Sequence, residues 1–265
     1  VMRYGPHAVL KAIKKYFPSP VKDNVIYHGV NQKTEEAYVA EYDSSKPVSA
    51  YIFKTIVDPF VGKFSLVKVC DGVLKKDSVL YNAEKGEEEK VGKLYILKGK
   101  DNVEVDMLNA GDIGAIAKLA VSQTRDTLST KDCPIIYEKT PVPTPYTFMS
   151  YVTKKKGEED KASSAIKRLM EEDLTLKEVN DKENKQILLY GLGDQHLDVV
   201  VSKLKERYKV EIELTKPRIA YKETIRGKVT VQGKYKKQSG GHGQYGDVKM
   251  EFEPSGDLDT PYTFD

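Results

Sequence analysis

The stretch Asp194-Gln195-His196-Leu197-Asp198-Val199-Val200-Val201-Ser202-Lys203-Leu204-Lys205-Glu206-Arg207-Tyr208 decides the fold class. Leu197, Val200, Val201, Leu204 and Tyr208 recur at helical spacing and make one apolar stripe. Asp194, after Gly193, is expected to cap the helix. Working outward, Gln186 to Tyr190 and Val210 to Leu214 read as strands on either side. Upstream, Thr175 to Val179 is a strand, joined to Gln186–Tyr190 through Asn180-Asp181-Lys182-Glu183-Asn184. Asp160 to Asp173 is a helix with Ala162, Ala165, Ile166, Leu169 and Met170 on one face, and Tyr146 to Thr153 is a strand. The order β-α-β-β-α-β is that of a ferredoxin-like split βαβ unit.

Before this unit lies Thr140-Pro141-Val142-Pro143-Thr144-Pro145. Alternating prolines favour an extended, semi-rigid spacer, which marks a domain boundary. From Val48 to about Glu138 the pattern is all strand. Runs at 51–57, 64–69, 78–81, 91–97 and 113–117 are separated by turn residues such as Asp71-Gly72, Lys85-Gly86 and Gly111-Asp112. Many short, regularly punctuated strands predict a closed antiparallel β-barrel. Residues 6–17 read as one helix, with Pro6 in its first turn and Val9, Leu10, Ile13 and Phe17 on one stripe; Pro18 and Pro20 stop it. The stretch to about Lys46 reads as a connector with at most one short strand.

After Pro217 the character changes again. Gly233-Lys234-Tyr235-Lys236-Lys237-Gln238-Ser239-Gly240-Gly241-His242-Gly243-Gln244-Tyr245-Gly246-Asp247-Val248 reads as a strand, a glycine-rich loop and a second strand. Val229 and Val231 before it, and Val248, Met250 and Phe252 after it, alternate with polar residues. That period of two predicts strands with one buried face. The glycines let backbone approach a ligand closely. Gln238 and Gln244 offer amide edges, His242 a weak base and Tyr245 a stacking ring. Between Tyr221 and Gln238, Lys222, Arg226, Lys228, Lys234, Lys236 and Lys237 are opposed only by Glu223. Charge, a ring and amide edges together suit single-stranded or irregular RNA. A flexible hairpin with a solvated basic strand explains the same residues. A phosphate-cradling P-loop does not, because that motif opens a helix and this loop opens a strand.

The chain has 265 residues, 31% charged and 39% hydrophobic, with a net charge of +3. These are the proportions of a globular protein with room for two or three domains. A polyanion partner is therefore a local matter, not one imposed by total charge. Cys70 and Cys133 lack metal-ligand spacing and read as two reduced thiols of a cytoplasmic protein. His7, His28, His196 and His242 are scattered and make no metal-ligand set. No nucleophile with a nearby base can be nominated, so no catalytic residue is assigned. No apolar run reaches membrane-spanning length.

Four motifs carry a resemblance. Gln238 to Gly246 resembles the motif near the start of the fourth domain of bacterial elongation factor G, with His242 where the family usually has arginine. Tyr190-Gly191-Leu192-Gly193-Asp194-Gln195-His196-Leu197 resembles its third-domain signature, with Asp194-Gln195 in place of the usual Glu-Leu. Lys216-Pro217-Arg218-Ile219-Ala220-Tyr221-Lys222-Glu223-Thr224-Ile225 is similar to the linker into the fourth domain. Asp58-Pro59-Phe60-Val61-Gly62-Lys63-Phe64, with Asn109 to Ala115, is similar to the second-domain barrel. The four stand in the family's order across nearly the whole chain.

The resemblance implies a fragment with a defined anatomy. Residues 1–46 would be the last helix of the GTPase domain and a connector, 47–139 the barrel domain II, and 140–146 the linker. Residues 147–220 would be domain III, and 221–265 the start of domain IV. It implies a multidomain α+β fold from a protein that uses GTP and Mg2+ in a domain outside this chain, with no cofactor or nucleotide site of its own. Partners would be the ribosome (ribosomal RNA and small-subunit proteins), tRNA and mRNA in the decoding region, and the parent's own GTPase domain. Gln238, Ser239, Gly240, Gly241, His242, Gly243, Gln244 and Tyr245 would form the contact tip, with Lys234, Lys236 and Lys237 on the supporting strand. Gly191, Gly193, Asp194 and His196 would form the domain III signature. His196 is expected to pack or hydrogen-bond against a neighbouring domain. The two departures admit a relative that protects or recycles ribosomes without translocating. A stand-alone RNA-binding scaffold is a third reading. Unpaired strand edges near the end of the chain predict pairing with a second copy.

Overall fold

A computed structural model describes residues 5–17, 26–58, 62–99, 101–219, 221, 225–256 and 262–264. Pro18 and Pro20, the Pro59–Val61 part of one motif, and Ala220 with Lys222–Thr224 of the linker motif lie outside them. The chain divides into two compact units, Val1–Pro217 and Arg218–Asp265.

Helix α1 spans Gly5–Tyr16, with Lys14 and Lys15 in its last turn, where the helix dipole favours cations. None of its residues is buried. Next come β1 (His28–Asn31), β2 (Ala37–Val39), β3 (Ser49–Asp58), β4 (Gly62–Asp71), β5 (Val73–Lys75), β6 (Val79–Asn82) and β7 (Glu87–Lys90). They are followed by β8 (Leu94–Lys98), β9 (Asp101–Val105), β10 (Met107–Asn109), β11 (Ile113–Ala117), β12 (Thr127–Ser129) and β13 (Ile135–Tyr137).

Eight of these form one antiparallel sheet in the order β7-β6-β12-β3-β4-β11-β8-β9. Leu80 of β6 and Leu94 of β8 stand near opposite ends of that order, yet both enter one core with Ile52, Val67, Ile116 and Leu128. The sheet therefore rolls around its apolar face. The expected closure is not made by hydrogen bonds: among the described residues no ladder joins β7 to β9. Both edges carry exposed charges, Glu87, Glu88 and Lys90 on one and Asp101 and Glu104 on the other, which discourage edge pairing. The β5–β10 pair contributes Leu74 and Leu108 to the same core.

The connector holds more structure than its sequence suggests. β1 pairs with β2 and with β13 to make a three-stranded sheet. These strands have three or four residues each, too few to display a period. Gly29 is essential to the pairing, since a Cβ there would lie 2.4 Å from the Ile136 carbonyl oxygen. Beside this sheet Tyr38, Tyr51, Tyr137 and Cys70 pack together. Burial pushes the Cys70 thiol up to about 12, so it stays protonated and unreactive. Buried Asp71 accepts hydrogen bonds from the Tyr38 hydroxyl (2.9 Å) and the Asp43 amide (3.0 Å).

The second half of this unit comprises β14 (Thr147–Thr153), α2 (Glu159–Glu172), β15 (Lys177–Asp181), β16 (Gln186–Gly191), α3 (Asp194–Tyr208) and β17 (Ile212–Thr215). The strand order β15-β16-β14-β17, antiparallel throughout, is that of a ferredoxin-like fold. Ala162, Ala165, Ile166 and Leu169 of α2 meet Leu197, Val200 and Leu204 of α3 over Tyr151 and Leu189 of the sheet. These are residues of the two predicted stripes. Lys209, in left-handed backbone at φ 55, ends α3.

The last unit contains β18 (Val229–Ser239) and β19 (His242–Phe252), a long two-stranded hairpin. Among the described residues no helix is long and apolar enough to cross a membrane.

Candidate nucleic-acid interface

The predicted glycine-rich loop is mostly strand. The ladder runs without a break from Val229↔Phe252 to Ser239↔His242, leaving Gly240-Gly241 as a two-residue turn. Gly240 has φ +79, as the first central position of a type II′ turn requires. Gly243 and Gly246 sit within β19, where the cross-strand register prevails over the loop-like composition.

That register sorts the site residues onto two faces, because successive side chains of a strand point to opposite sides. One face carries Lys234, Lys236 and Gln238, opposite Asp247, Tyr245 and Gly243. The other carries Val229, Val231, Tyr235 and Lys237, opposite Phe252, Met250, Gly246 and Gln244. The structure therefore brings Gln238 together with Tyr245, and separates both from Gln244 and Lys237. Ser239 and His242 close the ladder through their backbones. The apolar face, expected to be buried, is open in the described residues: Val248 is 53% and Phe252 42% exposed.

The polar face is ordered from within. The Tyr245 hydroxyl donates to Asp247 Oδ2 (3.0 Å), and Gln232 Nε2 donates to Asp247 Oδ1 (2.7 Å). Hydrogen bonds from Gln232 and Tyr245 hold the Asp247 carboxyl below its usual range. Lys234 Nζ lies 3.6 Å from Asp247 and 5.6 Å from the centre of the Tyr245 ring. The ring is thus fixed along the hairpin while 64% of the residue stays exposed. Lys236 is directly across from Tyr245, and among the described residues neither Lys236 nor Lys237 has an acidic partner. At the base, by contrast, Lys228 is paired with Glu251 (2.6 Å) and Glu253 (3.4 Å). Uncompensated positive charge is concentrated at the tip, around an available ring. This arrangement can take phosphate and a stacked base together.

The other singled-out residues form a structural corner. Asp194 is the first residue of α3, not its cap; Gly193 occupies the cap position and no side chain bonds there. Asp194 still complements the helix dipole from the first turn. The local hydrogen bond comes from His196, whose Nδ1 accepts the Leu192 amide (3.1 Å) while Nε2 contacts Asp173 Oδ2 (3.0 Å). With Nδ1 accepting, the neutral ring carries its proton on Nε2 and donates it to Asp173. Burial raises the Asp173 pKa, but bonds from Thr175 and His196 outweigh it and leave the carboxyl below its usual range. His196 ties the start of α3 to the end of α2, inside the ferredoxin-like unit and not across to a neighbouring one. Gly191 makes this possible: a Cβ there would lie 2.9 Å from both His196 Nδ1 and Leu197 Cδ2. Gly193 meets nothing within 4 Å.

Among the described residues no group of three His, Cys, Asp or Glu side chains is placed to hold a metal. Two residues that sequence reasoning passed over, Glu172 and Arg207, join the two halves of the first unit. Nothing in their helical positions signals that role, since both belong to ordinary charged helix faces.

A rolled β-sheet, a ferredoxin-like unit and a basic hairpin in this order define a translation-factor architecture. Family models match it piece by piece: elongation factor G domain 2 over residues 47–131, domain III over 142–216, and domain IV over 217–265. The chain belongs to the elongation factor G family. A crystal structure of a protein from Thermus thermophilus superposes with a TM-score of 0.69 at 31% identity, covering 92% of this chain and 34% of that one. The chain thus spans about a third of that relative's length.

Proposed function

We propose that this chain supplies the ribosome-contacting and relay domains of a translocation GTPase, and that the Lys234–Tyr245 face of its hairpin contacts RNA. The parent would use GTP hydrolysis, with Mg2+, to move tRNA and mRNA on the cytoplasmic ribosome. Nucleotide chemistry would reside outside these 265 residues, which contain no Gly-x-x-x-x-Gly-Lys-Ser/Thr run. The observation that carries the reading is the segregated polar face: Lys236 uncompensated, Tyr245 oriented and exposed, Gln238 beside them. Domains II and III would seat on the small subunit and relay nucleotide state to this tip.

In the full-length protein, Lys236→Ala combined with Tyr245→Ala should slow single-round tRNA movement about tenfold or more, since one stacked base is worth ~1–3 kcal/mol. The deficit relative to wild type should narrow as salt rises, because the variant has lost a phosphate contact and with it part of the salt dependence. A double variant that moves tRNA at the wild-type rate would remove the RNA contact from the account. A second reading, a ribosome-protection or recycling factor, rests on His242 and Asp194-Gln195. Wild-type protein that binds ribosomes without moving tRNA would favour it.

A further inference from the structure

We propose that Glu172 and Arg207 form a two-residue clip that completes the open edge of β3 and thereby fixes the ferredoxin-like unit on the rolled sheet. The inference is independent of the RNA-contact reading.

β3 pairs with β12 only over Ser49–Tyr51, extended by the Ile52 amide bonding to the Asp126 carbonyl (3.0 Å). The register with β4 then shifts between Ile52 and Lys54, leaving Phe53 as a bulged residue. A bulge bends a strand and ends regular pairing. Past it, among the described residues, no strand lies on the β12 side of β3, so Val57 presents an amide and a carbonyl there that no ladder takes up.

Both are taken by side chains of the other half. Glu172, the last residue of α2, accepts the Val57 amide at 2.8 Å. Arg207, in the last turn of α3, donates Nη2 to the Val57 carbonyl at 2.6 Å. The two are joined to each other by a forked pair of bonds, 2.8 and 2.9 Å. A carboxylate accepting N–H and a guanidinium donating to C=O reproduce the paired bonds a neighbouring strand would make. Lys63, across the β3–β4 ladder from Val57, adds a contact to Glu171 at 3.6 Å. Burial raises the Glu172 pKa, yet Arg207 and the Val57 amide outweigh it, so the carboxylate stays charged. Beside the clip, a cleft of about 430 Å3 is lined by Tyr51 and Phe53 of β3, Pro141 and Pro143 of the linker, and Glu172 and Asp173.

The clip needs both members. Arg207 orients Glu172 toward Val57, and without Glu172 the guanidinium keeps only a carbonyl. Amide hydrogen exchange of the 265-residue chain tests this. Glu172→Gln and Arg207→Met should each accelerate exchange at Val57 about tenfold or more, while Val67 and Leu189, in the cores of the two halves, keep wild-type protection. Arg207 does not touch the Val57 amide, so its variant reads the coupling itself. The 140–146 linker should become more sensitive to protease in both variants. Val57 protection unchanged within about twofold in Arg207→Met would overturn the clip. So would equal acceleration at Val57, Val67 and Leu189, because the pair would then serve general stability and not docking.

Discussion

Glu89→Ala should destabilise the rolled sheet by about 3–5 kcal/mol, a loss read by chemical denaturation followed through tyrosine fluorescence. Glu89 is 2% exposed and accepts three successive amides: Ala120 at 3.1 Å, Val121 at 2.5 Å and Ser122 at 2.6 Å. No strand supplies acceptors for this stretch among the described residues, so alanine leaves three donors without this acceptor, the Ser122 amide in a buried residue, Val121 half-buried and Ala120 exposed. The segment is held again just beyond, where Asp126 accepts the Gln123 amide (2.9 Å) and the Asn82 side chain (3.0 Å). Glu89→Gln can keep the oxygen that takes the Val121 and Ser122 amides and loses only the acceptor of the Ala120 amide, together with the charge, so it should cost clearly less. Equal losses for the two variants would show that charge, and not the count of acceptors, sets the effect.

Gly72→Ala is the second large loss. Gly72 has φ +72, and a Cβ there would lie 2.5 Å from Val48 Cα and 2.8 Å from the Lys46 carbonyl oxygen. Those are backbone atoms and cannot rotate away. Gly86, with φ +69, shares the left-handed backbone but would meet only the Tyr81 hydroxyl at 4.0 Å. Gly86→Ala should therefore cost about 1 kcal/mol from backbone preference, whereas Gly72→Ala should cost about 3 kcal/mol or more. Comparable melting temperatures for the two variants would mean that the segment around Val48 yields, and that the clash is relieved by backbone movement.

Long periodic segments were the legible part of this chain. Helix α3 runs over the residues its stripe indicated, Asp194–Tyr208, because Leu197, Val200 and Leu204 must all reach one core. The split βαβ order followed from two such helices and four strands. Short elements were not legible: β1, β2, β12 and β13 have three or four residues and owe their form to partners distant in sequence. The barrel expectation identified the architecture, but not that β7 and β9, both carrying exposed charges, would end its strand order. At the signature, sequence reasoning gave the cap to Asp194, the conventional residue, while the ring of His196 makes the hydrogen bond instead. At the hairpin, composition marked the RNA-like residues, but only the register shows which of them share a face. The Glu172–Arg207 pair had no local signal at all, since its meaning depends on an open edge 150 residues from Arg207 in sequence.

The face assignment is the claim on which the functional account turns, and a photo-crosslink tests it most directly. In full-length protein bound to ribosomes, Tyr245→p-benzoylphenylalanine should crosslink to RNA, whereas the same replacement at Tyr235, on the opposite side of the hairpin, should not. RNA crosslinks from position 235 and none from 245 would contradict the account.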